Sequence, residues 1–223
     1  MSNSHIAVAI DGPAASGKST VAKTLAKRLG LIMVNTGAMY RAVAWATIQH
    51  GVDPSDSAAV VAMLDEVEFS CGVSNNLSTV LVDGVDPGDA LRQDAVNSRV
   101  SKVAAIPEVR SLLVEMQRDY LKLGSVVMEG RDIGSVVFPN TPFKMYIDAS
   151  EEVRRKRRAA EGIIDDPTAR DKEDSKRKSS PLVVAEGAVK IDSSELGIEE
   201  VVDAALEVLR ERGAPAELLA KAK

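Results

Sequence analysis

Cysteine is almost absent. Cys71 is the only one in 223 residues, which excludes an internal disulfide and a cysteine-built zinc cluster. The two histidines, His5 and His50, carry no partner pattern and receive no role. Aromatic residues make up 3% of the chain and leave few stacking platforms for single-stranded nucleic acid. Positive charge is not in excess either: the net charge of −5 provides no global basic field for a phosphate backbone. No apolar run approaches the roughly 20 residues that a membrane span needs. The first one, Ile6 to Ile10, stops at Asp11-Gly12 and lacks the basic flank and cleavage-like stretch of a signal peptide. The expectation is a cytoplasmic protein without membrane or nucleic-acid partners.

What remains is an ordinary globular balance of 45% apolar and 27% charged residues, enough for one large domain, or one core with inserted pieces. Residues 6–10 read as a strand ending in a glycine-rich turn. Val21, Ala22, Leu25, Ala26 and Leu29 recur at helical spacing, Gly30 closes that helix, and Leu31 to Val34 read as the next strand. Strand, helix, strand implies a parallel sheet. Residues 38–50 look helical. A different texture follows, with a helix over 57–66 and short strands over 67–71 and 78–82 beside the turn signals Asn75-Asn76 and Asp83-Gly84. Helices are expected over about 94–105 and 108–123. Strands resume at 125–128, 143–147 and 188–191, with a helix near 198–211 whose apolar residues form one face. The charge-dense stretch from Arg154 to Lys178 reads as a mobile, solvated element.

Gly12-Pro13-Ala14-Ala15-Ser16-Gly17-Lys18-Ser19 fits G-x-x-x-x-G-K-S/T between a predicted strand and a predicted helix. Its backbone N–H groups and the helix N-terminus would face phosphate oxygens. Lys18 would reach the outer phosphates, and the Ser19 hydroxyl would ligate Mg²⁺. With Thr20, these residues form the expected ATP site.

Three classes share such a loop: a switch GTPase, a motor ATPase and a small-molecule kinase. The guanine-specifying N-K-x-D is absent, and 223 residues leave a motor little room. A kinase needs clustered cations to bring two phosphate-bearing substrates together. They are present in Thr36-Gly37-Ala38-Met39-Tyr40-Arg41, in Glu129-Gly130-Arg131-Asp132-Ile133-Gly134 and in Arg170 to Arg177. The first two follow predicted strands, where α/β sheets place ligands. A nucleotide-binding switch with negligible transfer is the alternative from another class.

In this order and spacing, the P-loop, T-G-A-M-Y-R, E-G-R-D-I-G, Val136 to Pro139, R-D-x-x-D-x-x-R and Ser180-Pro181-Leu182 resemble the bacterial cytidylate kinases, nucleoside monophosphate kinases that phosphorylate CMP and dCMP. E-G-R-D with R-D-x-x-D-x-x-R separates them from adenylate and thymidylate kinases. The resemblance implies a P-loop α/β fold with a five-stranded parallel sheet, a strand-rich insertion in the monophosphate-binding region and a short lid. It divides the chain into a core (about 1–35, 124–153 and 179–223), a monophosphate-binding region (about 36–123) and a lid (about 154–178). It implies that Arg41, Arg131, Arg170 and Arg177 hold the acceptor phosphate and the transferring phosphoryl, with Lys18 among the catalytic groups. Ser101, Arg110 and Asp132 would read the base, Asp174 would take a ribose hydroxyl, and Thr36 and Tyr40 would line the acceptor pocket. ATP is the implied donor, Mg²⁺ the cofactor, and a monomer the expected form.

Taken singly, these residues read differently. Arg41 and Arg110 would pass for helix-surface arginines, Asp132 for half of a structural ion pair and Asp174 for a surface charge. Arg154 to Arg158 reads as a solvated face or as part of a lid. Three departures from the family pattern stand out: Thr36 where serine is usual, a lid shorter than in some long members, and Glu173 where some relatives have arginine. Acceptors other than CMP, such as UMP or a sugar acid, stay open.

Overall fold

In the computed structural model of the protein, which describes residues 5–160, 167–176 and 181–222, strand β1 (Ala7–Asp11) is buried along its whole length. Ala7 and Ala9 enter one core cluster, Val8 and Ile10 another, as expected of an uninterrupted apolar run covered on both faces. Helix α1 (Lys18–Leu29) opens after Gly17 and closes on Gly30, both left-handed at φ 87 and 65. Its buried face is the expected one, Val21, Ala22, Leu25, Ala26 and Leu29. Strand β2 (Ile32–Asn35) leads directly into α2 (Thr36–Gln49), which starts earlier than its apolar pattern suggests. The Asn35 side chain accepts the N–H of Ala38, and this N-cap draws Thr36 and Gly37 into the first turn.

Helix α3 (Ser57–Glu66) precedes the hairpin of β3 (Phe69–Ser74) and β4 (Leu77–Val82). Asn75 and Asn76 lie at φ 51 and 58, the two-residue turn that matches strand twist. Helices α4 (Asp94–Val103) and α5 (Pro107–Leu123) follow, the second with proline in its first turn. Strand β5 (Val126–Gly130), a π-helical turn over Ile133–Val137 and strand β6 (Lys144–Asp148) lead to α6 (Glu151–Ala160) and α7 (Pro167–Lys176). Strand β7 (Val189–Asp192), α8 (Ile198–Glu211), the short α9 (Ala216–Leu219) and a 3₁₀ turn over Ala220–Ala222 end the described chain.

The sheet runs β3-β4-β2-β5-β1-β6-β7. The five strands from β2 to β7 in that order are mutually parallel, as expected. The insertion adds two more instead of folding apart from the sheet. Met33 N–H donates to Asn76 O (2.8 Å) and Asn35 N–H to Ser78 Oγ (3.2 Å). The hairpin thereby covers the edge of β2, which would otherwise present unpaired backbone groups.

One face of the sheet packs on α2, α4 and α5 through residues such as Met39, Val100 and Leu113, the other on α1 and α8 through Leu25, Val202 and Leu209. Full burial of one such side chain stabilises by about 1.5–3 kcal/mol, against about 1 kcal/mol for a cap. The two sheet faces therefore hold the frame, and they fix the carboxyl end of β1 between β5 and β6.

Candidate active site

Gly12 follows β1 at a point where a side chain is forbidden: a Cβ there would lie 2.1 Å from Ile147 O. The chain can thus curl tightly over the sheet. Ala15 is held in the left-handed region at φ 58, an unfavourable conformation for a residue with a Cβ. Lys18 is buried, and its Nζ donates to Pro13 O (3.1 Å). Glu129, at the end of β5, faces both ends of the motif. Its Oε1 accepts from Ser19 Oγ (2.9 Å), and its Oε2 lies 4.0 Å from Lys18 Nζ.

The E-G-R-D stretch stands opposite. Gly130 has no room for a Cβ, which would meet Thr36 Oγ1 and Ile133 Cδ1 at 2.7 Å. Thr36 Oγ1 donates to Glu129 O (2.8 Å), tying α2 to β5. Arg110, from α5, forms a buried ion pair with Asp132 and lies 5.5 Å above the Tyr40 ring, within cation–π range. Arg131 Nε donates to Asp174 Oδ2 on α7 (2.9 Å). Beneath the loop, Asp11 accepts from Ile133 N–H and Gly134 N–H, both at 2.8 Å. Burial pushes its carboxyl up to about 7, against the pull of those two N–H groups; the Asp132 charge adds to the rise and Lys18 opposes it.

The charge-dense segment is not simply solvated. Arg154 is buried and pairs with Asp171, and together they take both polar groups of Ala14: Asp171 Oδ1 accepts its N–H (2.8 Å) and Arg154 donates to its carbonyl (3.1 Å). Arg157 donates to Ser16 O (3.1 Å) and Ser193 O (2.7 Å). Arg155 and Lys156 point to solvent. The expectation of a solvated element fails for Arg154, Asp171 and Asp174 because each charge is buried with a partner, the condition under which such burial is tolerated.

A single cleft of about 250 Å³ joins these parts. Of the expected site residues, Ala14, Ala15, Gly17, Lys18, Ser19, Thr20, Thr36, Tyr40, Arg41, Arg110, Arg131, Asp132 and Asp174 line it. Gly12, Pro13 and Ser16 shape the loop behind its wall. Ser101 sits on α4 away from the lining, where its neighbours Val100 and Ala104 stand instead. Arg177 and the side chain of Arg170 lie outside the described residues. Sequence reasoning passed over Glu129, although it begins the E-G-R-D motif, and also Asn35; both line the cleft, as does Arg158 from the run read as a solvated face or part of a lid. Asp11 and Asp171 carried no signal beyond lying next to or inside a motif.

A family model described as Cytidylate kinase matches residues 8–211. The chain belongs to that family. It is 43% identical to the cytidylate kinase of Lactiplantibacillus plantarum over 223 residues, covering 95% of this chain and 98% of that protein. It is also 43% identical to the cytidylate kinase of a Geobacillus species, covering 93% and 98%. Among solved structures it is similar in outline to an unliganded sugar kinase from a Janibacter species, at 17% identity and a TM-score of 0.49 over 96% of this chain and 98% of that one. Among the described residues no helix is long and apolar enough to cross a membrane.

Proposed function

We infer that the protein transfers the γ-phosphoryl of ATP to the α-phosphate of CMP or dCMP, giving CDP or dCDP and ADP. One observation carries this reading: a single cleft places Lys18 and the phosphate cradle in the same space as the buried Arg110–Asp132 pair.

Cytosine offers an amino donor at N4 beside acceptors. A carboxylate with an arginine supplies both complements, and Ser101, next to the cleft-lining Val100, would add a hydroxyl. Arg41 and Arg131, with Arg170 and Arg177 from α7 and beyond, would hold the acceptor phosphate and the moving phosphoryl, and Asp174 would accept from a ribose hydroxyl. Thr36 and Tyr40 would bound the acceptor pocket. The attacking phosphate has a second pKa of about 6 and is largely ionised at neutral pH, so no general base is needed. Catalysis is positioning plus neutralisation of charge.

The Ser19 hydroxyl and the Glu129 carboxylate face each other as hard oxygen donors, a set suited to Mg²⁺ beside a triphosphate. They would hold the ion, which when bound neutralises phosphate charge. At about 250 Å³ the cleft falls below the roughly 300–1,000 Å³ of a ligand site. Arg110–Asp132 and Arg131–Asp174 draw its walls together, so substrate entry exchanges those protein partners for base, ribose and phosphate. A working monomer is the proposed form, and a lone cysteine fits the cytoplasm.

The test is a coupled assay of ADP release with ATP and CMP, dCMP, UMP or AMP. CMP and dCMP should give the highest kcat/KM. CMP ranking below UMP or AMP contradicts the acceptor assignment.

A further inference from the structure

We propose that Asp11 is a positioning residue that locks the Arg131–Asp132 loop to the strand from which the phosphate cradle springs. The proposal rests on the acceptor reading above and adds a residue that touches neither nucleotide.

Asp11 is the last residue of β1, and the cradle begins at the next position. Its side chain is buried, and each carboxylate oxygen accepts one of two successive backbone N–H groups, Ile133 to Oδ1 and Gly134 to Oδ2. These amides immediately follow Asp132. Two adjacent N–H groups converging on one carboxyl form a nest, and their two bonds oppose the burial that disfavours its ionised form. Asp132 itself sits at φ −146, ψ 23, outside regular helix and strand, so its backbone depends on contacts from outside the loop. The far end of the turn has its own clamp, since Arg118 on α5 donates to Val137 O (3.0 Å) and Val136 O (2.9 Å). Asp11 is the clamp on the cleft side.

The cradle is anchored separately. Ala14 is held by Asp171 and Arg154, and Lys18 bonds to Pro13 O. Loss of the Asp11 contact should therefore disturb the acceptor loop first. The loop also fits closely on the carboxylate: a Cβ at Gly134 would lie 3.3 Å from Asp11 Oδ2 and 3.2 Å from both Ala185 Cβ and Lys144 Cδ. The same contact can thus be altered from either side.

The experiment uses Asp11→Asn and Gly134→Ala. Asparagine keeps the volume and one accepting oxygen but turns an NH₂ group toward a backbone N–H. Alanine pushes the loop off the carboxylate. In each variant, kcat/KM is measured with CMP and with UMP, ATP affinity is measured by calorimetry without CMP, and exchange of the Ile133 and Gly134 amides is followed by NMR. The expected result is a CMP-to-UMP ratio lowered about tenfold, mainly through the KM for CMP, with ATP affinity within about threefold and faster exchange of the two amides. A merely structural role would lower thermal stability and leave the ratio where it was. An unchanged ratio in either folded variant overturns the proposal, and if Asp11→Asn does not fold, Gly134→Ala decides alone. If the unaltered protein shows no preference for CMP, the acceptor reading falls instead. Amide exchange then tests the clamp by itself: faster exchange supports it and unchanged exchange overturns it.

Discussion

Replacing Lys18 with alanine is expected to lower kcat by about 100- to 1,000-fold while leaving the KM for CMP within about threefold. The reason lies in where the ammonium sits. It is buried at the start of α1, bonded to Pro13 O and 4.0 Å from Glu129, on the cradle side of the cleft. There it can meet the charge that develops on the transferring phosphoryl, but the base and ribose contacts assigned to Arg110, Asp132 and Asp174 lie elsewhere. An interaction realised mainly in the transition state appears in kcat rather than in acceptor affinity. Lys18→Met, which keeps much of the aliphatic volume, should behave like alanine. Steady-state kinetics at saturating ATP provide the check, and a kcat within threefold of the unaltered enzyme would contradict the role.

Asp132 should govern the choice of base. Arg110 and Asp132 are about equally buried, at 4% and 5% exposure. Deleting one partner of such a pair costs about 3–5 kcal/mol, a large share of the roughly 5–15 kcal/mol that holds a domain folded. Alanine would therefore confound selectivity with stability, and Asp132→Asn is the cleaner variant. A carboxylate can only accept, so it favours the N4 amino group of cytosine over the O4 oxygen of uracil. An amide can turn either end toward the base. Preference for CMP over UMP should fall by about 5- to 150-fold, the equivalent of 1–3 kcal/mol for one base contact. ATP affinity should not move. Selectivity equal to that of the unaltered enzyme would remove Asp132 from base recognition.

The features legible in the sequence were those fixed by local pattern. The cradle was readable because its glycines, lysine and serine stand at set offsets between a strand and a helix. The face of α1 was readable because helical spacing decides which residues are buried. The start of α2 was not, because Thr-Gly looks like a loop until Asn35 is seen to cap it. The insertion showed its strands and turns, but whether a hairpin joins a sheet depends on an open edge that only the fold provides. The burial of Arg154 and Asp171 was not legible for a similar reason. A run of charges looks solvated, and only tertiary structure reveals that Arg154 and Asp171 bury one another against Ala14. Glu129 and Asp11 have the same origin: a carboxylate at a strand end acquires its role from neighbours about 110 to 120 residues away in sequence.

The central claim is that phosphate held by one loop is delivered to a nucleotide held by another. Phosphorus NMR of a mixture of enzyme, Mg²⁺, ATP and CMP tests it directly. The prediction is one CDP formed for each ADP, with free phosphate at background. ADP and free phosphate accumulating without CDP, or ATP left intact, would contradict it.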